Sequence, residues 1–267
     1  MTIIFQYYRQ LIVLITLLFS TTVFPAMSQE KGQMQLKNSF QLMFGLNELK
    51  EGNLHDKVHN GILNGLIYEH SKQSNNISLY NIGLKFSRVK TAYEDLSASA
   101  YAELFGRYGY FFKVTSKTKS TFHFGPEIRL NYDVSFYPNW DESHLYWANY
   151  LSLGIGNQYQ YQITDKQSLK INICIPLFSA FSRPIPDRQY KIDNTSFGGI
   201  INSLNSNLES GTVNKSFYLN TNVEYVFRIT DRISEAICYS YNYTRLSSRE
   251  GLPFQSNQHG IGLKLYF

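Results

Sequence analysis

Two neighbouring stretches alternate apolar and polar residues for longer than an ordinary soluble strand allows. From Ala98 to Thr115 one side-chain set is Ala100, Ala102, Leu104, Tyr108, Tyr110, Phe112 and Val114, and the opposite set includes Tyr101, Glu103, Arg107 and Lys113. From Thr121 to Tyr137 the apolar set is Phe122, Phe124, Ile128, Leu130, Tyr132, Val134 and Phe136, opposed by His123, Glu127, Arg129, Asn131, Asp133 and Ser135. A side-chain period of two is that of a strand. Strands in soluble domains average about 5–6 residues, whereas a tilted strand crossing a bilayer needs about 9–11. The charged set lies opposite the apolar one. A soluble lipocalin-like barrel, whose apolar face points inward, is therefore disfavoured, and the apolar sets are assigned to the outside.

The same pattern recurs along the chain. Lys37 to Asn47 sends Phe40, Leu42, Phe44 and Leu46 outward, and Ile77 to Arg88 sends Tyr80, Ile82, Leu84 and Phe86. Between them, about His59 to His70, Asn60, Gly61, Asn64 and Gly65 blur the alternation, and a bulge or slip is expected there. Leu145 to Ile163, Ser168 to Phe181, Ser216 to Ile229 and Ile233 to Arg245 repeat the regular pattern. The links alternate between short turns, such as Ser116–Ser120 and Thr164–Gln167, and longer stretches, of which Arg183–Asn214 is the longest. Outward aromatic residues gather near both strand ends. Tyr110, Phe112, Tyr159, Tyr161, Phe227 and Phe267 mark one end, and Tyr132, Phe136, Trp147, Phe217, Tyr241 and Tyr243 the other. Ring faces are apolar and hydroxyls reach headgroups, so such residues suit a membrane interface.

The final stretch, His259 to Phe267, places Ile261, Leu263, Leu265 and Phe267 on one face and Gly260, Gly262, Lys264 and Tyr266 on the other. With this strand the chain resembles the bacterial outer-membrane β-barrel proteins, whose last strand typically ends in Phe. The resemblance implies that the closing strand seals the barrel and that Phe267 belongs to the signal read by the outer-membrane assembly machinery. The expected fold is all-β: an antiparallel up-and-down transmembrane barrel of about ten strands (about 8–12). With both termini periplasmic, the short turns fall inside and the long loops outside.

Composition agrees. Of 267 residues 16% are aromatic, with 21 Tyr and 19 Phe, and 17% are charged, against about 25% charged in a soluble domain. Mean hydropathy is nevertheless −0.28, which excludes a bundle of membrane helices. Residues 1–28 read as a secretory signal peptide: Arg9, an apolar core from Leu11 to Phe19, then Ala26-Met27-Ser28 before a cut between Ser28 and Gln29. The apolar run is too short to serve easily as an uncleaved anchor. Residues 29–267 are the barrel, and the expected location is the cell outer membrane, with its lipid as one partner. The net charge of +5 is mild, so nucleic acid is not expected as a partner. Cys174 and Cys238 face inward two strand spacings apart, about 9–10 Å. A disulfide needs Cα atoms within about 7 Å, so both are expected as buried free thiols.

The inward face carries the candidate site: Glu103, Arg107, Glu127, Arg129, Asp133, Glu224 and Arg228, among the bulky Tyr101, Phe105, Phe111, Tyr146 and Phe178. Adjacent strands bring Arg107 close to Glu127 and Arg129. These charges either pair into a plug that satisfies a buried polar interior or line a narrow ion-selective constriction; barrels of about eight strands are filled by side chains, and open channels take about 16–18. At the rim, His55, Asp56, His59, Asp141 and His144 offer metal-ligating or acid–base side chains, but ordinary loop polarity explains them. The barrel size is similar to the omptin proteases, without their paired-Asp and Asp-His arrangement. His70-Ser71 lacks the alternate spacing of the His-x-Ser lipid hydrolases, so the two residues face opposite sides. No phosphate loop, zinc spacing or nucleophile elbow is present. The expectation is a non-catalytic barrel without cofactor or metal, acting structurally or through its outer loops on an unidentified ligand. A passive pore for ions or small solutes is the second reading, and a rim hydrolase of lipid or peptide the third.

Overall fold

Long alternating strands cannot bury one face against a partner sheet without leaving edges unpaired; closing the sheet on itself removes the edges. That closure is what the computed structural model of the chain contains. It describes residues 35–52, 57–90, 99–137, 145–184, 196–230, 233–249 and 251–267. The expected signal peptide, its cleavage site at Ser28 and Gln29, and the rim residues His55, Asp56, Asp141 and His144 lie outside the described residues.

In chain order the elements are β1 (Gln35–Glu51), β2 (His59–Gln73), β3 (Ile77–Lys90), β4 (Ser99–Ser116), β5 (Ser120–Phe136), β6 (Leu145–Trp147), β7 (Asn149–Thr164), β8 (Gln167–Ser182), α1 (Phe197–Leu204), β9 (Leu208–Thr212), β10 (Ser216–Arg228), β11 (Ser234–Leu246) and β12 (Phe254–Tyr266). Each strand pairs antiparallel with its neighbours, and β1 pairs with β12 to close the ring. β6 and β7 follow one another along β5, and β9 and β10 follow one another along β8. The strands thus form ten staves, the number expected from the sequence. At the seam Phe267 donates its backbone N–H to the Asn38 carbonyl at 2.9 Å and accepts from the Asn38 N–H at 3.0 Å.

The outward faces match the sequence reading. Phe44, Leu46, Ile261 and Leu263 are each more than 60% exposed, an apolar band with no protein cover. An arginine placed on such a band near mid-bilayer costs about 2–4 kcal/mol. Ile261→Arg, near the middle of β12, is therefore expected to destabilise the refolded protein by that amount in phosphocholine bilayers. Equilibrium urea unfolding would measure it, and an unchanged midpoint would show that this band does not meet lipid.

Four local expectations change. β2 pairs with both β1 and β3 without a register shift; its glycines sit on the inward face, where Gly65 lies against Met43 and Lys85, so they provide room without a bulge. Register shifts fall instead at Lys113/Thr115 between β4 and β5, and twice between β7 and β8, at Gln162/Thr164 near the turn and mid-strand, where Leu153 opposes Phe178 but Gly154 opposes Pro176. The extra residue, Leu177, turns Phe178 outward, 49% exposed, although the alternation placed it in the lumen. Pro176 has no N–H to give to a ladder, which is where a strand tolerates such an insertion. Trp147 holds an outward register position opposite Val134, yet it is buried, with its indole N–H donated to Ser182 Oγ at 3.1 Å. Finally, the Arg183–Asn214 link contains α1 and β9. Ser196 caps α1 by accepting from the Gly199 N–H at 3.2 Å. Asn149 donates to the Leu204 carbonyl at 2.9 Å and Asn205 to the Tyr132 hydroxyl at 3.3 Å. Tyr132 and Asn149 stand on outward register positions, so the end of α1 rests against the outer wall.

Candidate functional site

The inward side chains pack in layers along the lumen. Nearest the long-loop end the layer is mainly apolar: Leu49, Val89, Leu246, Phe254 and Phe181 are at most 3% exposed and belong to one cluster with Met43, Leu63, Tyr101 and Tyr218, with buried His59, Ser99 and Ser216 at the same level. Arg183, just past β8, is buried beside this layer. Its Nη2 is 2.5 Å from Glu51 Oε1, and Nη1 donates to the carbonyls of Leu246 at 2.9 Å and Leu252 at 3.0 Å.

The next layer is ionic. Register sets Glu103 opposite Lys85 on one side and Asp133 on the other. Lys85 Nζ donates to both Glu103 oxygens at 3.0 Å, and Arg129 Nη2 lies 3.5 Å from Glu103 Oε1. Gln258, reaching from β12 across the lumen, accepts from Lys85 at 2.8 Å and donates to Glu103 at 2.9 Å. Tyr101 donates its hydroxyl proton toward Asp133 at 3.0 Å, and Asn131 donates to Asp133 at 2.7 Å. The Phe105 ring lies under Lys85 and Arg129, 4.9 and 5.3 Å from its centroid. Phe105 fits because Gly83 opposes it; a Cβ at Gly83 would come within 2.4 Å of the ring.

Below, Arg107 Nη1 stands 3.6 Å from Glu127 Oε2 and donates to Asn220 at 3.2 Å. Lower still, Lys264 Nζ pairs with Glu69 at 2.9 Å and Glu224 at 2.8 Å. Glu224 also accepts from the Tyr266 hydroxyl and from Asn222 at 2.7 Å. A buried carboxylate is tolerable when its lone pairs meet donors and a cation; the upper and lowest layers supply both, while in the middle one Glu127 has the Arg107 cation but its Oε1 is left without a hydrogen-bond donor. The voids between layers are about 50 Å³, beside Lys85 and Arg107, and about 20 Å³, beside Glu69 and Glu224. One water needs about 10–15 Å³ of such a cavity, so both spaces have room for water. Two larger concavities sit at the ends. One of about 400 Å³ is bounded by Arg183, β9 and Arg249 at the long-loop end. The other, of about 270 Å³, opens at the short-turn end.

No protein-family model matches the chain, and no curated protein resembles it in sequence. Solved structures do resemble it. The outer membrane protease OmpT from Escherichia coli superposes with a TM-score of 0.53 at 6% identity, covering 91% of this chain and 99% of the protease. Neisserial surface protein A aligns at 7% identity and a TM-score of 0.36, over 86% of this chain and 97% of that one. An outer membrane channel from Pseudomonas putida F1 aligns at 11% identity and a TM-score of 0.36, over 91% and 99%. The chain has the outer-membrane β-barrel fold. At these identities the likeness carries the fold alone.

Within this barrel the candidate residues separate into three groups. Glu103, Arg129 and Asp133 form one layer, Arg107 and Glu127 the next, and Glu224 the lowest. Arg228, expected beside them, is exposed at the short-turn end and joins no layer. Its position on the last residue of β10 explains this: inward parity at a strand terminus points into the mouth. Lys85, Gln258, Glu69 and Lys264 complete these layers as partners that alternation alone does not identify, and the same holds for the apolar layer. Lys85 and Lys264 were legible as inward residues, but their pairing with particular carboxylates depends on register across several staves. Cys174 and Cys238 are buried free thiols, as expected. His59 packs its ring 5.4 Å from Tyr137 inside the long-loop end, away from any open rim.

Proposed function

We propose that this protein is a non-catalytic outer-membrane barrel with a closed lumen, which acts through its long-loop end on an extracellular partner. The observation that carries this reading is the stacking of a mainly apolar layer on three ion-paired layers of buried side chains. Water and ions would have to displace Leu49, Val89, Leu246 and Phe254 and then part desolvated ion pairs. The 400 Å³ concavity bounded by Arg183, β9 and Arg249 is where the described long-loop elements offer a partner a shaped surface. In this reading membrane lipid meets the outward band, the short turns face the periplasm, and the assembly machinery reads the closing strand ending at Phe267.

Single-channel recording of the refolded protein in a planar bilayer tests the closed lumen. The expected record is silent. Leu49→Ala combined with Phe254→Ala and Lys85→Ala, which thins two layers together, is expected to introduce small openings. Steady ion-selective openings of the unmodified protein would overturn the closed-lumen reading in favour of a narrow pore.

A further inference from the structure

At the short-turn end of the lumen cations outnumber carboxylates, even counting Glu224, which Lys170 faces across the β8–β10 register. There Lys264 takes up both Glu69 and Glu224, at 2.9 and 2.8 Å. The cup of about 270 Å³ below is bounded by Lys37, Lys166, Lys170 and Arg228. Its carboxylate is Asp165, exposed in the turn between β7 and β8. Among the described residues no carboxylate forms a salt bridge with any of these four cations. Lys170 is placed differently from a surface lysine: its Nζ lies 4.5 Å over the Tyr266 ring and 3.4 Å from the Tyr266 hydroxyl, held inside the mouth by β8. Lys37 and Arg228 occupy inward register positions near the ends of β1 and β10. Gln73, Gln160 and Gln162 add amide groups to the wall.

We infer that this cup is a binding site for a small polyvalent oxyanion of the phosphate class. Four cations converging on one concavity repel one another unless a counter-charge sits between them, and low-dielectric walls focus the resulting field. The volume admits a diphosphate but not a folded protein segment. Lysine and arginine both donate charge-assisted hydrogen bonds to phosphate oxygens, and the Gln73 and Gln160 amides supply neutral donors around them, whereas Gln162 gives its amide to the Thr164 and Gln167 carbonyls of the neighbouring turn. The inference is independent of what the long-loop end recognises and of which way the barrel faces.

The test is isothermal titration calorimetry of inorganic pyrophosphate into the refolded full chain in zwitterionic detergent at low salt. Binding is expected, and Lys37→Gln, Lys166→Gln and Arg228→Gln are each expected to weaken it about tenfold, the loss of one charge-assisted hydrogen bond. Lys215→Gln, at the other end of the barrel, is expected to leave it unchanged. Heat-modifiable gel migration verifies that each variant is folded, and Lys166 and Arg228 are exposed, so their replacement spares the barrel. Absence of binding by the folded wild type would overturn the inference, as would binding that all three variants leave intact. Phosphate can reach the cup free in solution or on a lipid headgroup. Displacement of pyrophosphate by short-chain phosphatidylglycerol would assign the site to a headgroup, and its failure to compete would assign it to a soluble anion.

Discussion

Lys264→Met is expected to destabilise the barrel by about 3–5 kcal/mol, the usual cost of removing one partner from a buried ion pair. Lys264 is 3% exposed and is shared by Glu69 and Glu224. Its loss leaves both carboxylates facing each other across the lowest layer without the cation between them. With a urea dependence of about 1–3 kcal/mol/M, the unfolding midpoint should fall by at least about 1 M. The informative companion is the triple variant Lys264→Met, Glu69→Gln, Glu224→Gln. Replacing all the charges removes the uncompensated burial, and buried ion pairs so replaced often cost nothing. Most of the lost stability should therefore return. A single variant as stable as the parent would mean that water reaches this layer freely, contrary to the packing described.

Arg183→Ala should be nearly as costly and more local. One guanidinium holds Glu51 at the end of β1, the Leu246 carbonyl at the end of β11, and the Leu252 carbonyl in the link that follows. Truncation takes this donor from a buried carboxylate, the buried Leu246 carbonyl and the partly buried Leu252 carbonyl, at about 1–3 kcal/mol for each group that water cannot reach. Arg183→Lys should recover little, because a single ammonium cannot span the three acceptors that the planar fork reaches. The expected signature is faster proteolysis within residues 246–254 while the outward band stays protected. Cleavage at the parental rate would show that the link is held by other contacts.

The wall was readable from the sequence because a membrane strand has only one periodicity and two environments. Outward residues such as Phe44, Leu104 and Ile261 could be assigned without knowing any neighbour. The places that failed are those where a third environment intrudes. Phe178 reversed because one inserted residue, Leu177, shifts parity, and nothing in hydropathy marks an insertion between two apolar residues. Trp147 kept its parity but lost its exposure. Leu49 and Val89 alternate correctly as inward residues, yet an apolar inward residue reads as noise in a polar lumen. It acquires meaning only when Phe254 and Leu246 come level with it on nearby staves and Phe181 meets them from across the ring. The ion pairs fall between these cases. Lys85 opposite Glu103 follows from neighbouring strands once register is known, whereas Gln258 reaching Glu103 is a contact across the lumen that alternation cannot reveal.

That cross-lumen reach bears on how the chain arrives at its final state. β12 contributes Gln258 to the ionic layer near the long-loop end and Lys264 to the layer near the short-turn end, and it is also the strand that pairs with β1. An intermediate lacking that strand would hold Glu69 and Glu224 without their shared lysine, and its lumen would still be wetted from the side. Desolvating the charges and completing their pairing are thus one event, timed by the arrival of the last strand. A nearly finished sheet gains little by drying its interior early. The chain accordingly has reason to stay open and hydrated until its carboxy-terminal segment is in place, and then to close in a single cooperative step.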